Sequence, residues 1–169
     1  MTEQQPYRVL QQFPEFELRE YPAAAIAEVT VDGDFEQAGN RAFGSLFGYI
    51  SGRNGASTKI AMTAPVLQRP SSAGQHAVAF VLPSTMEAQD APEPADPSID
   101  VRELPSTRTA ALTYSGRWSE ESYRRHCNQL VAAIAREGLK PVGEARFARY
   151  NAPFTPWFLR RNEVLVDVA

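Results

Sequence analysis

The side chains that most often carry out nucleophilic or acid–base catalysis are scarce in this sequence. It contains two histidines, His76 and His126, and one cysteine, Cys127. The histidines lie 50 residues apart, and no GxSxG, HExxH or paired CxxC pattern is present. A P-loop and a dinucleotide-binding glycine fingerprint are also absent. We therefore expect no catalytic residue, no metal ligand and no enzyme activity.

Two carboxylates within predicted strands are the remaining candidates for acid–base chemistry. Glu28 belongs to the segment AIAEVTV, and Glu163 belongs to RRNEVLV. Side chains alternate between the two faces of a strand, so polar residues between apolar ones usually face solvent. We therefore expect both carboxylates to be solvated.

The stretch PFTPWFLRRNEVLV, residues 153–166, could bind an anion. Its prolines and aromatic residues indicate a pinned turn covered by aromatic rings. Arg160 and Arg161 follow this turn, and guanidinium groups bind carboxylates and phosphates. The two arginines could instead form local ion pairs, for instance with Glu163, and the sequence leaves both interpretations open.

A predicted helix over residues 34–52 has a wide apolar face. One interpretation is that the helix is buried slightly more than packing on a sheet requires. The other is that one flank of this face, formed by Phe43, Phe47 and Ile50, lines a cleft for a flat apolar ligand. Two glycines on the helix, which would allow a ligand close approach, favour the second interpretation.

A second predicted helix, from about Ser119 to Glu137, has a narrower apolar face. The residues of this face are Tyr123, Cys127, Leu130, Val131 and Ile134. We expect Cys127 to lie in the core and to be inert. His126 lies at the border of the face, and His76 follows a Ser/Gly-rich loop, where we expect it to be solvated.

The elements that must position these residues form two similar halves. Strands are predicted at 15–31 (two strands broken at Tyr21-Pro22), 59–67, 76–83, 99–104, 107–116, 145–151 and 162–169. TVDGDFEQ precedes and opens the first helix as TYSGRWSE does the second. TAPV and NAPF also correspond, which predicts equivalent places for Pro65 and Pro153.

Each half would expose one apolar sheet face, so the two halves are expected to share a core. We predict a single domain over residues 1–169, with halves at about 15–83 and 99–169. A Pro-rich and acidic loop, 84–98, joins them and is too polar to pack a core. The predicted class is α+β: a distorted antiparallel β-barrel of two pseudo-symmetric βαββ-type repeats, with two helices packed outside.

Composition excludes several classes of protein. The 169 residues carry a formal net charge of −3 and no densely basic stretch, which argues against a nucleic-acid partner. A single cysteine excludes an internal disulfide. The N-terminal sequence lacks an apolar segment typical of a signal peptide, and no run is long enough to span a membrane. We expect a cytoplasmic protein.

Two motifs about 90 residues apart, KIAMTAPV and RRNEV, resemble those of the SOUL haem-binding family. The resemblance covers nearly the whole chain, including REYPAAAIAEVTV and both helices. It implies a distorted β-barrel of two βαββ-type repeats. It also implies binding of tetrapyrroles, haem above all, in an apolar cleft along the first helix.

Carried over position by position, the resemblance points to five contact residues: Phe43, Leu46, Phe47, Ile50 and Met62. Basic residues of the family's tetrapyrrole binders correspond here to Asn40, Gly48 and Thr155. The arginines that could substitute for them are Arg41, Arg53 and Arg160. The histidine that some members are thought to use as an iron ligand has no evident match, so we expect no strong axial ligand.

These observations favour non-enzymatic binding of haem or another tetrapyrrole, as a carrier, buffer or chaperone. The same double-repeat architecture resembles GyrI-like effector-binding domains, some of which bind small molecules and a few of which hydrolyse them. That alternative requires a carboxylate within the cleft. A third hypothesis is a protein–protein interaction module without a ligand.

Overall fold

Eleven β-strands and two α-helices occur within residues 2–169, which this computed structural model describes. In chain order they are β1 (Glu3–Gln4), β2 (Arg8–Gln12), β3 (Glu17–Tyr21), β4 (Ala24–Asp32), α1 (Phe35–Ile50), β5 (Thr63–Ala64), β6 (Val66–Pro70), β7 (Gln75–Val81), β8 (Ile99–Leu104), β9 (Thr107–Tyr114), α2 (Glu120–Arg136), β10 (Arg146–Arg149) and β11 (Asn162–Val168). The predicted order of strands and helices is confirmed, with two differences: the sequence did not predict β1 and β2, and the strand predicted at 59–67 begins at Thr63 and is divided at Pro65 into β5 and β6.

Both helices begin and end where the sequence predicts. The Asp34 carboxylate caps α1 by accepting a hydrogen bond of 2.8 Å from the amide of Gln37. The hydroxyl of Ser119 caps α2 in the same way. Gly52 and Gly138 follow the two C-caps with φ of +118° and +74°, values that favour glycine.

The chain divides into two compact units. The first unit comprises Ala23–Pro105 together with the N-terminal residues up to Gln5, and the second comprises Pro6–Pro22 and Ser106–Ala169. Each unit contains one helix and one antiparallel sheet.

In the first unit the strand order is β6-β7-β4-β8. The apolar face of α1 packs on β4 and β7, where alternate side chains face the helix. The buried residues of this core include Ala27, Val29, Leu46, Val78 and Phe80. At the N-terminus, β1 pairs in parallel with β5.

In the second unit the strand order is β2-β3-β9-β11-β10. Its helix α2 packs on β9 and β11. Leu130 and Ile134 on the helix are fully buried, as are Phe147 and Val164 in the sheet.

The strand orders show two βαββ-type repeats that exchange their leading strands. The units β4-α1-β6-β7 and β9-α2-β10-β11 have the same internal order. The strand beside β4 is β8, and the strand beside β9 is β3. Each sheet is thus completed by the strand that leads the other repeat in sequence. The α+β class with two pseudo-symmetric repeats is confirmed.

The matching segments before the two helices are confirmed, whereas the matching prolines are not. Gly33 and Gly116 have φ of +127° and +130°, so the chain makes the same turn before each helix. Pro65 precedes β6, but Pro153 follows β10, the strand equivalent to β6. The predicted equivalence of the two prolines is therefore wrong. A short match such as TAPV and NAPF carries no information about which end of a strand it occupies.

The loop 84–98 is packed against the first unit, contrary to the expectation from its composition. Three of its side chains, Met86, Ala88 and Ala91, pack against the core. The hydroxyl of Tyr49 on α1 donates a hydrogen bond of 2.6 Å to the carbonyl of Pro92. A few apolar side chains and backbone hydrogen bonds are enough to hold a segment whose average composition is polar.

Glu163 on β11 is fully buried, so the expectation that it faces solvent is wrong. Its carboxylate accepts hydrogen bonds of 2.8 Å on each oxygen from the guanidinium of Arg19, which is also buried. The remaining donors are Thr113, Tyr150 and Arg161. Alternation along β11 shows which residues share a face with Glu163, but it could not show that this face is covered.

These contacts set the protonation of Glu163. Burial alone would raise the pKa of the carboxyl, but the hydrogen bonds and positive charge of Arg19, with help from Arg161, lower it to about 2. Burial disfavours the charge on Arg19, but Glu163 outweighs it and raises the pKa of the guanidinium. Both groups are therefore ionised at neutral pH.

We expect Glu163→Gln to lower the free energy of unfolding by about 3 kcal/mol, because it leaves the buried Arg19 without its charge partner. Glu20→Gln is the matched control, since Glu20 lies on β3 and pairs with Arg8 in an exposed ion pair. Exposed pairs contribute about 1 kcal/mol at most. Urea denaturation of both variants measures the difference, and equal losses would contradict the prediction.

The same pair predicts a specific dependence of stability on pH. The folded pKa of Glu163 is depressed from 4.5 to about 2, so its contribution is complete above the unfolded pKa and is lost as the pH falls towards the folded pKa. The stability difference between wild type and Glu163→Gln should therefore shrink between about pH 5 and pH 2. Urea denaturation at several pH values tests this, and a constant difference across the window would refute it.

Candidate functional site

The two faces of α1 differ sharply in accessibility. The side that faces the sheet is buried and includes Leu46 and Ile50 in the core of the first unit. Neither side chain is accessible to a ligand here, so the expected contact role of these two residues does not agree with their burial. Phe43 and Phe47, by contrast, are 41% and 49% exposed.

The rings of Phe43 and Phe47 form an ordered aromatic surface. They are stacked with centroids 5.6 Å apart and planes inclined by 13°. Phe43 also makes an edge contact with Phe80 of the core, at 5.6 Å. The pair is therefore anchored to the sheet at one end and open to solvent, which fits the interpretation of a ligand-binding flank.

The two glycines of α1 shape the surface beside this pair. A Cβ added at Gly44 would meet no atom within 4 Å, so the helix backbone is open at this position. A Cβ at Gly48 would lie 3.2 Å from Cδ of Arg53. The arginine side chain thus lies against the helix at the position where the family's tetrapyrrole binders carry a basic residue.

Two other predicted site residues of the first unit, Arg41 and Met62, are held by contacts of their own. Arg41 is exposed and donates a hydrogen bond of 3.0 Å to the carbonyl of Asp32, before the start of α1. Met62 is half-buried and packs against the core of the unit. These contacts hold both side chains in place, and neither places them on Phe43 or Phe47.

Arg160 belongs to the second unit, where it supports the turn before β11. It donates hydrogen bonds of 3.0 Å to the carbonyl of Thr155 and 2.9 Å to that of Pro153. Its guanidinium also lies 4.2 Å above the ring of Trp118. The local ion pair with Glu163 is made by Arg161 instead, at 2.9 Å.

The two histidines and the cysteine are partly buried, and both histidine rings make contacts within their own units. Nδ1 of His76 lies 3.1 Å from the carbonyl of Gly33, and the ring of His126 stacks on Tyr114 at 3.7 Å. Both histidines are half-buried, so the expected solvation of His76 is only partial. Cys127 is half-buried too, not in the core, and burial raises the pKa of its thiol.

Residues 2–169 contain no group of three or more His, Cys, Asp and Glu side chains that could hold a metal ion. Within the same residues, no helix is long and apolar enough to cross a membrane.

The exposure of the apolar residues before β11 could not be predicted from the sequence. Phe154, Trp157, Phe158 and Leu159 all project into solvent, although the turn itself is pinned as predicted. Composition alone would suggest a covered surface, whereas these four side chains remain largely exposed, Trp157 with the guanidinium of Arg117 above its ring.

Curated proteins with similar sequences are named as haem-binding proteins. The chain is 26% identical over 168 residues to "Heme-binding protein 2" of Mus musculus, covering 90% of this chain and 81% of the relative. It is 27% identical over 156 residues to "Heme-binding protein 1" of Xenopus tropicalis, covering 88% and 81%.

Solved structures share the fold at much lower identity. The C-terminal domain of EcmrR superposes with a TM-score of 0.69 at 9% identity, covering 96% of this chain and 98% of that one. A hydrolase from Listeria innocua superposes with a TM-score of 0.64 at 10% identity, covering 95% and 94%. At such identities the likeness concerns the fold alone.

The family model described as "SOUL heme-binding protein" matches residues 2–167, nearly the whole chain. The two βαββ-type repeats and the similar sequences agree with this match. The chain therefore belongs to the SOUL heme-binding protein family.

Proposed function

We propose that this protein binds haem or another tetrapyrrole without catalysing a reaction, on the face of α1 that carries Phe43 and Phe47. The observation that carries the proposal is the stacked, half-exposed pair of rings on a helix whose opposite side is core. Membership of a haem-binding family supports the class of ligand. The corresponding role is that of a carrier, buffer or chaperone.

The geometry of the pair suits a flat apolar ligand. Fully burying a phenylalanine side chain contributes about 1.5–3 kcal/mol, so covering two half-exposed rings is worth roughly half of that for each. Stacked or offset aromatic contacts add about 0.5–1.5 kcal/mol. Phe43 is held by Phe80 and Phe47 stacks on Phe43, so a ligand has little ordering of the rings to do.

Gly44 and Arg53 would complete the ligand-binding site beside the two rings. Gly44 leaves the helix backbone open to close approach beside the rings. Arg53, whose side chain lies against Gly48, would bind a propionate carboxylate of the ligand. Arg41 is held at the other end of the helix by the carbonyl of Asp32 and is a weaker candidate for this contact.

A bound haem would receive no strong axial ligand from a histidine. His76 contacts Phe35, the first residue of α1, two turns before Phe43, and the ring of His126 stacks on Tyr114. Affinity would therefore come from the rings and from contacts to the propionates rather than from the iron.

The carboxylates argue against a hydrolytic role. Glu163 is held by Arg19 and Arg161, and Glu28 by Arg69 and Arg102 at 3.1 Å each. The lowered pKa of Glu163 makes it a poor general base, and the two arginines occupy the Glu28 carboxylate. Binding is therefore the better supported function.

We expect Phe47→Asp to weaken hemin binding at least about tenfold with little loss of stability, because its side chain is exposed and a carboxylate covered by the ligand would lose its hydration. Leu46→Asp, one residue away but fully buried, should instead unfold the protein. Val131→Asp on α2, also exposed, is the control and should leave binding unchanged. Absorbance titration and thermal unfolding separate these effects; equal destabilisation by Phe47→Asp and Leu46→Asp would assign Phe47 to the core.

We also expect metal-free protoporphyrin to bind with about the affinity of hemin, within roughly threefold, because the iron contributes little without an axial ligand. The double variant His76→Ala/His126→Ala should leave the hemin absorption spectrum unchanged. Fluorescence quenching and absorbance titrations measure both. A histidine-ligated spectrum that disappears in either single variant would overturn the expectation and move the site to that residue.

A further inference from the structure

The turn formed by residues 153–159, here called the 153–159 turn, exposes four large apolar side chains. Phe154 is 85% exposed and Leu159 64%, and Trp157 and Phe158 are exposed by 46% and 59%. Contiguous apolar surface of this kind marks a binding surface, whereas single exposed apolar residues are ordinary. We propose that the 153–159 turn docks the protein on the surface of a lipid bilayer that contains anionic lipids.

The turn is a fixed structure, so the exposure of its side chains is not a result of loose backbone. The amide of Thr155 bonds to the carbonyl of Ala152 at 3.0 Å, and that of Leu159 to Pro156 at 2.9 Å. The two hydrogen bonds from Arg160 to the carbonyls of Pro153 and Thr155 hold it from the C-terminal side. Insertion would therefore require little ordering of the chain.

The charges around the turn are positive. Residues 145–161 contain four arginines and no acidic residue, but two of them, Arg146 and Arg161, are ion-paired with Asp167 and Glu163. The guanidinium of Arg117 lies 4.9 Å above the ring of Trp157, and that of Arg160 lies 4.2 Å above Trp118. Among residues 2–169, neither Arg117 nor Arg160 forms an ion pair with an acidic side chain. Anionic headgroups complement such a cluster.

This combination favours a bilayer over other occupants. Tryptophan and phenylalanine side chains enter the boundary between headgroups and acyl chains, and arginines beside them remain among the headgroups. At the 153–159 turn the apolar side chains and Arg117 are arranged in this way, with the cation stacked on the most polar of the rings. A second copy of the chain would need an acidic complement to these arginines.

The test is co-sedimentation of the full chain with vesicles of phosphatidylcholine alone and of phosphatidylcholine with phosphatidylserine. We expect binding to the anionic vesicles, and a loss of at least about tenfold in Phe154→Ser/Phe158→Ser. The control Val131→Ser/Val142→Ser removes two other exposed apolar side chains of the second unit and should bind like wild type. Circular dichroism confirms that both double variants fold.

A second set of experiments measures the electrostatic contribution to vesicle binding. Arg117→Gln should weaken binding to the anionic vesicles by about fivefold, the effect of removing one cation near an anionic surface, and leave binding to phosphatidylcholine vesicles unchanged. Addition of salt should reduce binding of wild type more than that of this variant. Trp157→Phe should remove the blue shift in tryptophan emission that vesicles are expected to cause.

Four outcomes would overturn the proposal. The first is no binding of wild type to either type of vesicle, and the second is equal weakening by the two double variants. The third is a wild-type dimer in gel filtration that Phe154→Ser/Phe158→Ser converts to a monomer without a change in vesicle binding, which would assign the turn to a second copy. The fourth is loss of hemin binding in that variant with vesicle binding retained, which would assign the turn to the ligand.

Discussion

The buried ion pair between Arg19 and Glu163 is the interaction on which the second unit depends. It joins β3, which leads the first repeat, to β11, which ends the second, across the intervening strand β9. Removing two charges from water is costly, and only close geometry with further hydrogen bonds offsets it. Thr113, Tyr150 and Arg161 supply those bonds. A slip of either strand by one residue would place a charge against the apolar face, so the pair also specifies the register.

The proposed ligand site differs from this ion pair, because it depends on exposed apolar rings and not on buried charges. Its main features, the rings of Phe43 and Phe47, are apolar and exposed, and the buried carboxylate of Glu163 is paired with Arg19 in the second unit. Polar contacts enter only at its margin through Arg53. A site of this composition selects a ligand by size and flatness more than by hydrogen-bond pattern, which suits the binding of a macrocycle whose polar groups lie at one edge.

The sequence predicts those structural features that depend on residues close together in the chain, and it misses those that depend on distant residues. Caps such as Asp34 and Ser119 and the glycines after each helix act within one turn, so the helices were predicted closely. The burial of Glu163 depends on Arg19, 144 residues away in sequence, and no local pattern carries that information. On α1, periodicity placed Phe43 and Phe47 on the flank of the apolar face, where both are exposed, but it also placed Ile50 there, and Ile50 is buried because the sheet covers that side of the last turn.

The exchange of β3 and β8 between the two repeats gives the chain the connectivity of a strand-swapped dimer joined end to end. A single repeat with this connectivity leaves its leading strand outside its own sheet, so it would need a partner copy to supply the outer strand. Duplication and fusion turn such an obligate pair into one polypeptide. The two copies are then free to diverge, because each retains the scaffold that the other completes. Here one repeat presents aromatic rings on its helix, and the other presents them on a turn.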